Sequence, residues 1–160
     1  MNTTVEPMRL LREFLFADKL EHRFGRPRSE EATERRIRLQ DRWNEFAYDD
    51  EACEISFVVA NQPSKGSTLC AVLVLKVAEG NWLSRYSAEH HNTSTCSPWD
   101  YGRIWATREK ATRAGVGSIL AWALRDSHRS DNSPRDHLDL RKIITASQAF
   151  LHPVTKNTLF

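Results

Sequence analysis

The chain has 160 residues, 40% of them hydrophobic and 28% charged, which is enough apolar material for one packed domain over 1–160 and a globular rather than a disordered composition. A net charge of +2 excludes a nucleic-acid binder that works by bulk electrostatics. Three cysteines, Cys53, Cys70 and Cys96, form no even framework and no Cys-x-x-Cys pair, so a disulfide scaffold and a zinc site are not expected, no metal is assigned, and a reducing compartment fits.

The chain opens on polar residues, Met1 to Glu6, which do not read as a secretory leader. No apolar run approaches the roughly 20 residues of a membrane helix. The expected location is therefore intracellular, in the cytoplasm with the nucleus left open, and no membrane partner is expected. Residues 7 to 24 carry Leu10, Leu11, Phe14, Leu15, Leu20 and Phe24 and read as a strand or helix start followed by a helix. Gly25-Arg26-Pro27 breaks that segment. Ser29 reads as the N-cap of a second helix, with Glu30 and Glu31 in its first turn and Ala32, Leu39, Trp43 and Phe46 on one face. The arginines from Arg23 to Arg42 are interleaved with Glu30, Glu31 and Glu34 and read as a solvated helix face.

Cys53 to Ala60 and Thr68 to Val77 predict two strands of an antiparallel hairpin, joined by a polar link from Asn61 to Ser67. The second strand is apolar on both faces, so it is expected to be central. Residues 79 to 100 are polar, with Trp82, Tyr86, His90, His91, Cys96 and Trp99 scattered through them, and read as a long loop or insertion whose aromatics anchor it. His90 and His91 read as part of a solvated loop rather than a metal pair. Tyr101 to Thr107 predicts a third strand, Leu140 to Ala146 a fourth, and His152 to Phe160 a short helix or final strand. Between them Val116, Ile119, Leu120, Ala123 and Leu124 follow helical spacing. The fold class is α/β (α+β), a central mixed, mostly antiparallel sheet flanked by helices.

The segment Arg113-Ala114-Gly115-Val116-Gly117 is read as the turn between strand and helix. Glycines there let the backbone approach a ligand, and the first N–H groups of a helix favour an anion. Thr107, Arg113, Ala114, Gly115, Val116, Gly117 and Ser118 are the candidate cofactor-binding residues.

Thr112-Arg113-Ala114-Gly115-Val116-Gly117-Ser118-Ile119-Leu120 resembles the acyl-CoA-binding motif of the GCN5-related N-acetyltransferases, with Thr112 where that family has glutamine or arginine. The resemblance implies an acyl-CoA N-acyltransferase-like fold, acetyl-CoA as co-substrate and acetyl transfer to a small-molecule or peptide amine. In that family an amine attacks the thioester, a base takes its proton, and an acid protonates the thiolate. No tyrosine follows Tyr101, so His152 is the catalytic candidate in the acid's place, with Glu54 and Glu109 as possible bases.

A second set of residues resembles the translation-initiation mRNA cap-binding proteins: Ile104-Trp105-Ala106-Thr107, Val116-Gly117, Lys142-Ile143-Ile144 and Thr155-Lys156-Asn157. That resemblance implies a methylated guanine stacked between tryptophans, with Lys76 near the phosphates, and a cap nucleotide as the only nucleic-acid partner. A non-catalytic interaction domain is the third alternative.

Overall fold

The computed structural model describes residues 7–13, 30–49, 52–62, 67–90, 93–100 and 103–153. Among them the chain runs from a short helix over 7–13 (α1) to α2 (Glu30–Ala47), then through β1 (Cys53–Gln62), β2 (Ser67–Ala78), β3 (Asn81–His90) and β4 (Thr93–Cys96), and closes with α3 (Arg108–Asp126) and α4 (Pro134–Leu151). The class is α+β. The four strands form one sheet in the order β1-β2-β3-β4, and every neighbouring pair is antiparallel. The expected Ser29 cap, the His91 position, Tyr101 and the segment 154–160 lie outside the described residues.

β2 sits inside the sheet because it has apolar side chains for both faces. Cys70, Val72 and Val74 join Val116, Ile119 and Ala123 of α3 and Leu140 and Ile143 of α4 in one core. Leu75 and Val77 join Leu10, Leu11, Leu39, Trp43 and Trp99 in a second. A register shift between Ile55 and Phe57 lets β1 turn Phe57 toward the first core, where its ring meets Phe150 of α4 edge-on at 5.2 Å.

Three expectations are corrected. Residues 79–100 are mostly strand, not loop. β3 pairs with β2 from Asn81 to Ala88, and β4 pairs with β3. Its buried positions include Ser84 and His90, so its hydropathy is too low to announce a strand. No strand covers 101–107: among the described residues of that stretch only Trp105 pairs, exchanging backbone hydrogen bonds of 2.8 Å with Trp82. Leu140 to Ala146 is helical. The chain turns into α4 through a capping box, in which Ser133 and Asp136 satisfy each other's backbone N–H, with Pro134 in the first turn. Leu140, Ile143 and Ser147 then form one buried face.

Gly115 and Gly117 also lie elsewhere than expected. α3 starts at Arg108, capped by Thr107, whose Oγ1 accepts from the Lys110 N–H at 3.2 Å. Both glycines are therefore well inside the helix. Gly115 is buried against β2, where a Cβ would meet Val72 Cγ1 at 2.5 Å and Cγ2 at 3.0 Å. Gly117 has nothing within 4 Å of the same position. The two therefore respond oppositely to alanine. Gly115→Ala forces α3 off the sheet and is expected to cost about 1–3 kcal/mol, the range for overpacking a core. Gly117→Ala is expected to stabilise by about 0.5–1 kcal/mol, since alanine is the better helix former. Urea unfolding of both variants checks this, and a loss of stability at both positions would refute the assigned packing.

Candidate functional site

Beside α3 the fold leaves a cleft of about 720 Å³. Its helix wall is Ala114, Gly117, Ser118 and Ala121, four small residues at i, i+3, i+4 and i+7. Because these side chains are short, the wall is backbone and methyl groups. The opposite side is Ser84, Arg85 and Tyr86 of β3 with residues of 97–100, Arg103 and Trp105. Three of these residues are pinned to β3 by backbone bonds: Ser97 N–H to the Tyr86 carbonyl (2.8 Å), Asp100 N–H to the Ser84 carbonyl (3.0 Å), and the Trp82–Trp105 bridge. The Ser97 hydroxyl also accepts from the Tyr86 N–H at 2.8 Å.

Between its cleft-facing neighbours Ser84 and Tyr86, Arg85 sends its side chain to the opposite face of the sheet, toward α2. Its guanidinium lies over the Trp99 ring at 5.6 Å and the Tyr48 ring at 5.2 Å. Nη1 donates to the Tyr48 hydroxyl at 2.7 Å, and Nη2 approaches the Cys96 sulfur at 3.4 Å. All these partners are neutral. Among the described residues none accepts from Arg85 Nε, Trp99 Nε1 or Trp105 Nε1, and all three nitrogens are buried. The Arg85 and Trp99 donors belong to the face of the sheet that α2 covers, whereas Trp105 packs on the face toward α3, so the cleft, with Trp105 in its lining, is the candidate binding site.

The residues expected to bind a cofactor are only partly brought together. Ala114, Gly115, Gly117 and Ser118 line the cleft, Val116 is in the core, and Thr107 caps α3. Arg113 does not face a ligand: its Nη2 donates to the Leu151 carbonyl at 2.8 Å and so ties α3 to the end of α4. The amides of 113–118 lie beyond the first turn, where N–H groups are used by the helix itself. These residues therefore do not fit the diphosphate of acetyl-CoA. His152, the expected acid, is exposed and caps α4 through its N–H to the Gln148 carbonyl. Glu54 is paired with Arg108, and Lys76 with Glu79 at 2.8 Å. Ser84 and Asp100 are hidden in the segment read as a loop, where Tyr86 and Trp99 are singled out as anchoring aromatics; the density of aromatic residues there is the signal that points to the site.

A second polar cluster lies at the far end of α3. His90, the last residue of β3, is buried, not in a solvated loop. Its Nε2 is 2.5 Å from Asp126 Oδ2 and its Nδ1 is 2.8 Å from Asp136 Oδ1. A neutral imidazole has one N–H and cannot donate to both carboxylates, so the geometry requires the imidazolium. Burial, the largest single influence, opposes that charge, but the hydrogen bonds and attraction of the two aspartates outweigh it and raise the His90 pKa. Asp136 is held well below the usual carboxylate range by the Ser133 hydroxyl first and by His90 next. The groups facing this cluster are Asp126 of α3, Arg129 of the following turn (3.6 Å from Asp126), and Ser133 and Asp136 at the start of α4. Among the described residues there is no group of His, Cys, Asp and Glu that would hold a metal. Cys70 is inert, its thiol pushed up to about 11 by burial.

Comparison with protein-family models, with curated proteins and with solved structures finds no match to this chain. No described helix is long and apolar enough to cross a membrane.

The His90 cluster gives a signed pH dependence. A raised pKa in the fold means the contribution is complete below the unfolded histidine value of about 6.5 and is lost as pH rises through the folded value. The lowered Asp136 pKa contributes above about 3.9 and is lost as pH falls toward its folded value. Stability is thus expected to peak between roughly pH 4 and 6.5. His90→Gln, which leaves two buried carboxylates short of donors, is expected to cost on the order of 3 kcal/mol at pH 5.5. It should also shrink the decline between pH 5.5 and 8.5 in urea unfolding. An unchanged decline in the variant would show that His90 is not its source.

Proposed function

We propose that this chain is a non-catalytic ligand-binding domain whose cleft, between β3, residues of 97–100 and 103–105, and α3, holds a small molecule or a side chain with a planar ring. The observation that carries this reading is the cleft itself, about 720 Å³, with the buried Nε1 of its lining residue Trp105 unpartnered among the described residues. The small residues of α3 supply a flat apolar wall, and Trp105 supplies ring surface.

The acetyltransferase reading draws less support. Arg113 is engaged by α4, and no acid stands beside the cleft in the place that reading gives His152. The cap-binding reading shares Trp105 with the cleft, and Trp99 lines it too. However, the Trp99 face already carries the Arg85 guanidinium, which repels the cationic ring of a methylated guanine.

The test follows the indole N–H signal of Trp105 by ¹H–¹⁵N spectra as planar fragments, acetyl-CoA and a methylated-guanine nucleotide are added, with Trp43 of the other core as internal reference. Fragments are expected to shift Trp105 and leave Trp43 still. Gly117→Leu, which projects a side chain into open space beside the cleft, should abolish those shifts while the chain stays folded. Shifts that survive Gly117→Leu would exclude this cleft as the site.

A further inference from the structure

The His90 cluster stands apart from the cleft and joins the ends of three elements, β3, α3 and α4. We propose that it is a proton-operated latch on the C-terminal end of α3: loss of the proton on His90 Nε2 releases Asp126 and the turn after it, while Asp136 keeps α4 attached to β3.

The imidazolium donates to one carboxylate from each ring nitrogen. When solvent base takes one proton, a single N–H remains, and the other nitrogen turns a lone pair on a carboxylate oxygen. Three differences between the aspartates decide which one loses its donor. Asp136 lies in the first turn of α4, where the helix dipole favours a carboxylate, whereas Asp126 is the last residue of α3, where the dipole opposes one. Asp136 also accepts from the Ser133 N–H at 2.8 Å and hydroxyl at 2.6 Å. Finally, the Asp136 side chain is 0% exposed and that of Asp126 is 9% exposed, so Asp126 has the shorter way to water. The remaining proton therefore stays on Nδ1 toward Asp136. Nε2 then faces Asp126 Oδ2 across 2.5 Å with no proton between them, a contact that repels. Arg129 gives the released carboxylate a new partner: its Nη1 stands 3.6 Å from Asp126 Oδ1, just beyond hydrogen-bond distance, and Asp131 already holds it in place at 2.8 Å. The remaining neighbours do not compete for His90. Asp139, a second buried acid of α4, is 3.7 Å from Lys142, Thr93 stands opposite on β4, and Trp122 of α3 offers only its ring at 5.8 Å. The aspartates raise the His90 pKa against the cost of burial, so the latch is closed at acid pH and opens above about 6.5.

The experiment records long-range ¹H–¹⁵N spectra of the full chain from about pH 6 upward, which report the protonation of each ring nitrogen, together with backbone ¹³C shifts. His90 Nε2 is expected to lose its proton above about pH 6.5 while Nδ1 keeps its own. The ¹³C shifts of 126–132 are expected to change with the same midpoint, and those of 133–137 to stay. Asp126→Asn, whose amide can donate to the bare Nε2, should lower that midpoint by roughly 1–3 pH units, the effect of one adjacent charge, and remove the response of the turn. Arg129→Gln, at a half-exposed position, takes away a neighbouring cation and should move the midpoint up. It tests the same cluster should Asp126→Asn not fold. A neutral His90 that keeps its proton on Nε2, a response confined to 133–137, or a ring that stays charged until the whole chain unfolds overturns the latch.

Discussion

The close approach of α3 to β2 at Gly115 is the contact on which the other features depend. With no side chain at that position, the helix backbone settles onto Val72, closer than any Cβ would allow. That depth lets Val116, Ile119 and Ala123 enter the same core as Val72 and Val74. It also sets where the neighbouring faces of the helix go. The stripe Ala114-Gly117-Ser118-Ala121 is carried alongside the sheet, opposite Tyr86 and Trp105, and the gap between them is the cleft. The far end of the same helix delivers Asp126 to His90. One missing methyl group thus governs a core, a cavity and a buried ion cluster, since packed interiors transmit small displacements instead of absorbing them.

How much of this is legible in the sequence depends on where each element keeps its apolar residues. The β1–β2 hairpin is legible because both strands are rich in β-branched residues and the link between them is polar. α2 is legible from Leu39 and Trp43, which are both buried. β3 is not, because besides Leu83 it buries serine, alanine and histidine and keeps Trp82, Arg85 and Tyr86 half-exposed. A strand that lines a site is atypical in composition for that very reason. α4 is misread because Ile143-Ile144-Thr145 has β-branched character, although Ser133-Pro134-Arg135-Asp136 is a helix start that local chemistry alone explains. The glycines of α3 are legible as a place of close approach but not as to what approaches: at Gly115 it is Val72, not a ligand.

The His90 cluster at the C-terminal end of α3 and Arg85 on the opposite face of the sheet handle charge differently. At His90 two carboxylates surround one imidazolium, and Arg129 stands 3.6 Å from Asp126, so the buried charges are largely compensated inside the protein. Such a cluster makes the corner between α3 and α4 specific more than it makes it strong, since desolvation offsets much of the attraction. At Arg85 the cation has only neutral partners.

That contrast separates the two faces of the sheet. Arg85 is held by Tyr48 and Trp99 on the face that α2 covers, where Leu83 of the same strand joins Trp43. The cleft lies on the other face, where Tyr86 and Trp105 stand across from the small residues of α3. Among the described residues no acceptor meets the buried Trp105 Nε1 there. Leaving such a donor unsatisfied costs about 1–3 kcal/mol. A ligand in the cleft that accepts from it would recover that cost, which ties the strain of the site to its occupancy.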